Sequence, residues 1–184
     1  MTILSIDPGI NNCGISLLEV EEKFIVKDTF LVKNARKFTD EEKVIEAKFG
    51  NRAVKVNAII NKIQELLQSN TIDSIIIEAP FYNALTPMAY GSLLEVIFAI
   101  KYTVILPNNL FLKLVEPLLV KKLFAKQSLA SKEVIKQFLI KKKDSGEIAI
   151  DKVIDELSEH EIDSIAIGYV HYLTLLEEKN AGSN

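Results

Sequence analysis

Four side chains in this sequence have the type and setting for acid, base or metal chemistry: Asp7, Glu78, His160 and Asp163. Asp7 ends an apolar run (Ile3, Leu4, Ile6) and is followed at once by Pro8-Gly9, which stops a strand because proline has no N–H for the ladder and glycine accepts φ > 0. An acid there needs a partner. Either it caps the turn through its own backbone or it binds a cation. The pattern repeats at Ile75-Ile76-Ile77, which delivers Glu78 directly before Ala79-Pro80. Two strands that each end in a carboxylate favour the cation. Lying side by side in the same direction, they would bring Asp7 and Glu78 to one edge, where ligands of open α/β sheets bind. Glu156, His160 and Asp163 follow at spacings of four and three, one face of a helix. Asp163 lies within Ile162 to Ile167, a packing surface, whereas Asp155 and Glu161 read as a solvated face. A lone histidine is more often structural, but next to Asp163 His160 reads as a ligand or proton shuttle. Oxygen donors from two strands and a helix suit Mg²⁺, and an imidazole moves the preference towards Mn²⁺. Two such ions can clamp an in-line attack on a phosphodiester.

The elements that must position these groups follow from periodicity. After the first strand, Asn11–Val20 reads as a second and Lys23–Val32, which alternates apolar and polar residues, as a third, an antiparallel meander. Asn34–Asp40 is loop-like. A long helix is expected over about 41–68, with Gly50 either kinking it or starting a second segment. The strand 72–78, a loop 82–87 and a strongly apolar helix 88–100 come next. Tyr102–Leu106 reads as a short strand, then a short helix before Pro117 and an extended piece after it. Ser131 is an N-cap for an amphipathic basic helix to Lys143. The last helix is expected from about Ile150 or Val153 to Leu176. The expectation is an α/β fold with a mixed five-stranded sheet, meander plus parallel strands, flanked by helices. A single domain would span 1–176, with a flexible tail at 177–184.

The 184 residues are 48% apolar and 26% charged, an ordinary globular composition. One cysteine, Cys13, excludes an internal disulfide framework and any CxxC metal site and reads as a small buried hydrophobe. Asp7 interrupts the first apolar run and no basic leader precedes it, so a secretion signal is not expected. Apolar runs elsewhere look broken by Lys, Glu or Pro below membrane-spanning length. A cytoplasmic protein without a membrane partner is the default. Net charge is −3, but residues 108–143 hold nine lysines against Glu116 and Glu133, a net +7, which leaves −10 for the rest. Such a basic segment beside an acidic body suits a polyanion, although by itself it reads as a solvated lysine-rich face.

Ile6-Asp7-Pro8-Gly9, Ile77-Glu78 with Phe81 three residues on, and His160-x-x-Asp163 followed by small residues resemble the RuvC-type Holliday junction resolvases of the RNase H-like superfamily. The resemblance runs over roughly 1–174. It implies a metal-dependent endonuclease that resolves four-way DNA junctions by paired phosphodiester hydrolysis, with two Mg²⁺ or Mn²⁺ ions per site. Asp7, Glu78, His160 and Asp163 are the implied ligands. Lys132, in an Ala-Ser-Lys setting, is the implied electrostatic partner of the scissile phosphate. Phe81 matches an aromatic that stacks on an unpaired base, its alternative being a core phenylalanine. Lys121 and Lys122 match basic positions, and Lys126 and Lys136 extend that stretch as DNA contacts to phosphates. Arg52 stands where the family has an arginine. The family also implies a homodimer, for which helix 88–100 is the candidate interface, and in a compact phage-type member the location would be the host cytoplasm. Three features depart from the family: Ser164 in place of an alanine, no glycine over 123–130, and Pro80 between Glu78 and Phe81. An RNase H-like nuclease for hybrids or other branches, and a catalytically idle junction-binding protein, are the competing readings. An actin-like ATPase would need a longer chain.

Overall fold

Strand β1 (Thr2–Asp7) separates the two faces of the molecule. In the computed structural model, which describes all residues except 35, 83, 86, 127–129 and 182–184, Leu4 and Ile6 enter one buried cluster and Ile3 enters the other. This period of two repeats along β2 (Asn12–Val20), β3 (Phe24–Lys33) and, after the helices, β4 (Ser74–Glu78). Between β3 and β4 lie α1 (Asp40–Phe49) and α2 (Asn51–Ser69). Gly50, at φ 85°, divides them: the expected long helix is two, because a left-handed residue cannot continue the first. A Thr39–Glu42 capping box starts α1, which has no buried residue, so Val44 is exposed rather than part of the core. Helix α2 buries Val54, Ile59, Ile60, Ile63 and Leu66.

Helix α3 (Pro87–Ile100) continues through a π-helical turn at Lys101–Ile105, where a strand had been expected. The run Tyr102–Leu106 stays helical because Val104 and Ile105 then join Val96, Ile97 and Ile100 in the cluster formed with α2. The resulting helical stretch Pro87–Ile105 is, by length and composition, apolar enough to cross a membrane, which corrects the expectation that every apolar run is too short. Here it lies on α2. Around Pro117 the order is the reverse of that expected: strand β5 (Phe111–Val115) precedes it and α4 (Pro117–Phe124) begins with it. Proline suits the first helical position, where no N–H is needed. Ser131 caps α5 (Lys132–Asp144) as expected. Strand β6 (Ile148–Ile150) and a 3₁₀ turn (Ile154–Glu156) then take the place of the early part of the expected last helix. Helix α6 runs from Glu159 to Ala181, so 177–181 is helical and not a loose tail.

The sheet therefore has six strands, not five, in the order β5-β4-β1-β2-β3-β6. The meander β1-β2-β3 is antiparallel, and β4, β5 and β6 add in parallel. One face is covered by α2 and α3, the other by α4, α5 and α6. Lys142 of α5, buried, binds Glu147 at 2.7 Å and the Tyr169 hydroxyl of α6 at 3.3 Å, and Tyr169 donates to Glu147, which ties α5 to α6.

Candidate active site

Register brings the two strand-end carboxylates together. Strands β1 and β4 pair in parallel as far as Ile6–Ile77, so Asp7 and Glu78 are the next residues on adjacent strands. Asp7 has the parity of Ile3, and Glu78 that of Ile76, both of which face α6. Both acids thus emerge on the α6 face at the carboxyl ends of β1 and β4. They line a cleft of about 440 Å³ with Phe81, Lys121 of α4, Lys132 of α5, and His160 and Asp163 of α6.

The start of α6 is set by local chemistry. The Ser158 hydroxyl accepts from the Glu161 N–H at 3.3 Å and the Glu161 carboxylate accepts from the Ser158 N–H at 2.9 Å, a reciprocal cap. Glu161 also accepts from Thr29 of β3 at 2.8 Å, so it is an anchor to the sheet and not the solvated residue expected. Gly14 of β2 lets α6 approach: a Cβ there would lie 1.9 Å from the His160 carbonyl oxygen. The contact drops the first turn of α6 onto the site, where His160 Nδ1 meets Asp7 Oδ2 at 2.6 Å. Ser164 of α6 also meets the sheet, at Ser16 of β2, with the two hydroxyl oxygens 2.6 Å apart and buried.

The electrostatics are those of a crowded anionic cleft. Burial first, then the Asp7 and Asp163 charges, raise Glu78 to about 8, against the pull of Lys121 and Lys132. Burial and Asp7 raise Asp163 to about 6, with Lys132 and His160 opposing. The hydrogen bond to Asp7 raises His160. Among the described residues no group of three or more His, Cys, Asp or Glu side chains is drawn together as a ready-made metal cage. The donor chemistry nevertheless fits a hard divalent cation: three carboxylate side chains share the cleft and supply the oxygen donors such an ion takes.

The remaining expected residues divide. Phe81 is 58% exposed on the cleft rim, not a core phenylalanine. Its neighbour Tyr82, missed in the sequence, is equally exposed and packs edge-on against Tyr90 at 5.6 Å. Lys121 lines the cleft; Lys122 and Lys126 are exposed outside its lining. Lys126 takes φ 54°, so the loop without glycine places a lysine in the left-handed region, and 127–129 lie outside the described residues. Lys136 is committed to Asp155 at 2.8 Å. Glu156 is on the 3₁₀ turn and does not share the α6 face with His160 and Asp163, because the helix starts at Glu159. Arg52 pairs with Glu95 at 2.5 Å and joins α2 to α3. Glu159, which spacing alone did not single out, pairs with Lys132 at 2.5 Å.

No protein-family model matches the sequence, and no curated protein sequence matches it. Solved structures do. The chain resembles RuvC of T. thermophilus in complex with a Holliday junction substrate, with a TM-score of 0.65 and 19% identity over 93% of this chain and 92% of that one. It resembles the yeast mitochondrial Holliday junction resolvase Ydc2 with a TM-score of 0.62 and 16% identity over 96% of this chain and 82% of that one. For the fowlpox virus resolvase, in a complex with Holliday junction DNA, the TM-score is 0.57 with 14% identity over 96% and 99%. The chain thus shares its fold with RuvC and two other Holliday junction resolvases along nearly its whole length.

Proposed function

We propose that this chain is a metal-dependent nuclease that resolves four-way DNA junctions. The observation that carries the reading is the meeting of Asp7, Glu78 and Asp163 with Lys121 and Lys132 in one cleft, on a fold shared with proteins named as Holliday junction resolvases. Carboxylates alone would repel DNA. Carboxylates set between lysines suit a site that draws in a phosphodiester and holds cations against it.

In this reading the phosphate enters beside Lys132, whose ammonium stabilises the negative charge that develops on the non-bridging oxygens. Asp7, Glu78 and Asp163 are the groups that would hold two Mg²⁺ or Mn²⁺ ions, which when bound supply Lewis-acid stabilisation and a water acidic enough to attack at neutral pH. His160, whose Nδ1 is hydrogen-bonded to Asp7, orients that carboxylate and can take up or release a proton at the cleft, and its Nε2 is the nitrogen that would ligate an ion. Phe81, exposed on the rim, is suited to stack on an unpaired base, with Tyr82 beside it. Lys121, Lys122 and Lys126 would contact backbone phosphates and set affinity without reading sequence. Symmetric cleavage needs two such sites on a two-fold axis, and the exposed side of α3 and its π turn, with Met88, Phe98, Tyr102 and Leu106, is the surface for a second copy.

The test is cleavage of a fluorescently labelled four-way junction with Mg²⁺ or Mn²⁺, beside a matched flap and an RNA–DNA hybrid. Paired nicks in opposing arms of the junction are expected from wild type and not from Asp7→Asn, which should still bind. Preferred cutting of the hybrid or flap would overturn the junction assignment. Tight binding without product from wild type would leave a binding platform in place of an enzyme.

A further inference from the structure

Glu159 is a fourth acid at the mouth of the cleft, and the hydrolysis as proposed has no use for it. Its Oε1 lies 2.5 Å from Lys132 Nζ and 3.5 Å from His160 Nε2. An exposed glutamate is an anion at neutral pH. Lys132 is the first residue of α5, where the helix dipole disfavours a cation, so this lysine is poorly explained as a helix stabiliser. Glu159, at the start of α6, suits its dipole and reaches across to the neighbouring helix.

We propose that Glu159 is a phosphate surrogate: in the free protein it occupies the Lys132 ammonium, and DNA engages the cleft fully only when one of its phosphates displaces it. This rests on the junction-nuclease reading. A carboxylate and a phosphodiester offer the same ammonium the same thing, an anionic acceptor oxygen. An ammonium on a four-carbon stem is a mobile point charge that can change partners without moving the backbone. The pair is half exposed on both sides, 57% at Lys132 and 51% at Glu159, so it is weak enough to exchange. A DNA that seats a phosphate against Lys132 replaces the pair and leaves Glu159 to water. A DNA that lies across the cleft mouth without reaching Lys132 meets an intact pair and an uncompensated acidic cleft. Glu159 therefore sets a cost of engaging Lys132 that falls only on a DNA that seats a phosphate there.

The experiment measures metal-free binding, in EDTA, of a labelled four-way junction and of a linear duplex. It compares wild type, Glu159→Gln, Lys132→Ala and the double variant. Glu159→Gln should tighten junction binding about three-fold or more, the scale of an exposed ion pair. In the Lys132→Ala background the same substitution should do no more for the junction than for the duplex. In the free protein, acylation of the Lys132 amine, mapped by mass spectrometry, should be faster in Glu159→Gln than in wild type. An equal gain with and without Lys132 would reduce Glu159 to a general repulsive charge, and no gain would remove it from binding; either overturns the proposal while junction binding by wild type stands. Failure of wild type to bind either DNA would take down the nuclease reading and this inference with it.

Discussion

Glu78 is held against ionisation by burial and by two neighbouring carboxylates, and Asp163 shares that fate in smaller measure. The sign of the resulting pH effect follows from linkage. A carboxyl whose folded pKa lies at about 8, against an ordinary 4.5, binds its proton more tightly in the folded protein. That stability is fully present below the ordinary value and is lost as pH rises through the folded one. The metal-free protein should lose on the order of a few kcal/mol between pH 5 and pH 8.5, seen as a falling Tm. Glu78→Gln should flatten that decline and melt above wild type at pH 8. Parallel curves for the two proteins would mean that Glu78 does not titrate in this range. Mg²⁺ binds the ionised form, so it should raise the wild-type Tm more at pH 8 than at pH 6 and raise that of Glu78→Gln less.

Among the elements, α6 is the one on which the site depends, because His160 and Asp163 reach Asp7 only through its close approach to β2. The contact at Gly14 is backbone to backbone, with the His160 carbonyl in the way of any Cβ. Neither side can turn aside as a flexible side chain would. Gly14→Ala should cost about 1–3 kcal/mol in denaturant unfolding, as overpacking does. In the fraction that folds it should also part His160 from Asp7, so cleavage should fall further than the loss of folded protein explains. Loss of stability with full activity per folded molecule would show that the first turn of α6 can shift without harm. The helix held in this way was partly legible: its apolar body and the His160–Asp163 pair stood out, while its start at Glu159 did not.

At the scale of the whole molecule, the helical stretch from α3 through its π turn carries an exposed apolar surface. Phe98 and Tyr102 stack with ring centroids 6.1 Å apart, both more than half exposed, and Met88 and Leu106 extend the surface along the same helical stretch. A second copy of the chain seated there would cover it and give the two sites that paired cleavage needs. Phe98→Glu with Tyr102→Glu should convert a dimer to a monomer by analytical ultracentrifugation at micromolar concentration and leave the circular dichroism of the fold unchanged. A wild-type monomer at that concentration would place the second copy elsewhere. The same variant should cut junctions singly, without the paired nicks of wild type.

The sequence by itself determined the strands β1, β2, β3 and β4, because each is an apolar or alternating run, and Pro8 and Pro80, which have no N–H for a ladder, close β1 and β4. It also determined that Asp7, Glu78 and Asp163 are acids in apolar settings, which is a demand for a partner whatever the fold. Ser131 as a cap and Gly50 as a possible divider were visible for similar local reasons. Only the tertiary structure decided between strand and helix at 101–105 and 111–115. Both are short apolar runs without a distinguishing period, and the choice fell to what each could bury against: α2 for Val104 and Ile105, the β4 edge for Phe111–Val115. Lys132 with Glu159, Ser16 with Ser164 and Gly14 with His160 are likewise pairs from distant parts of the chain. No local signal marks them, because what selects each residue is a neighbour that arrives only when α6 closes over the sheet.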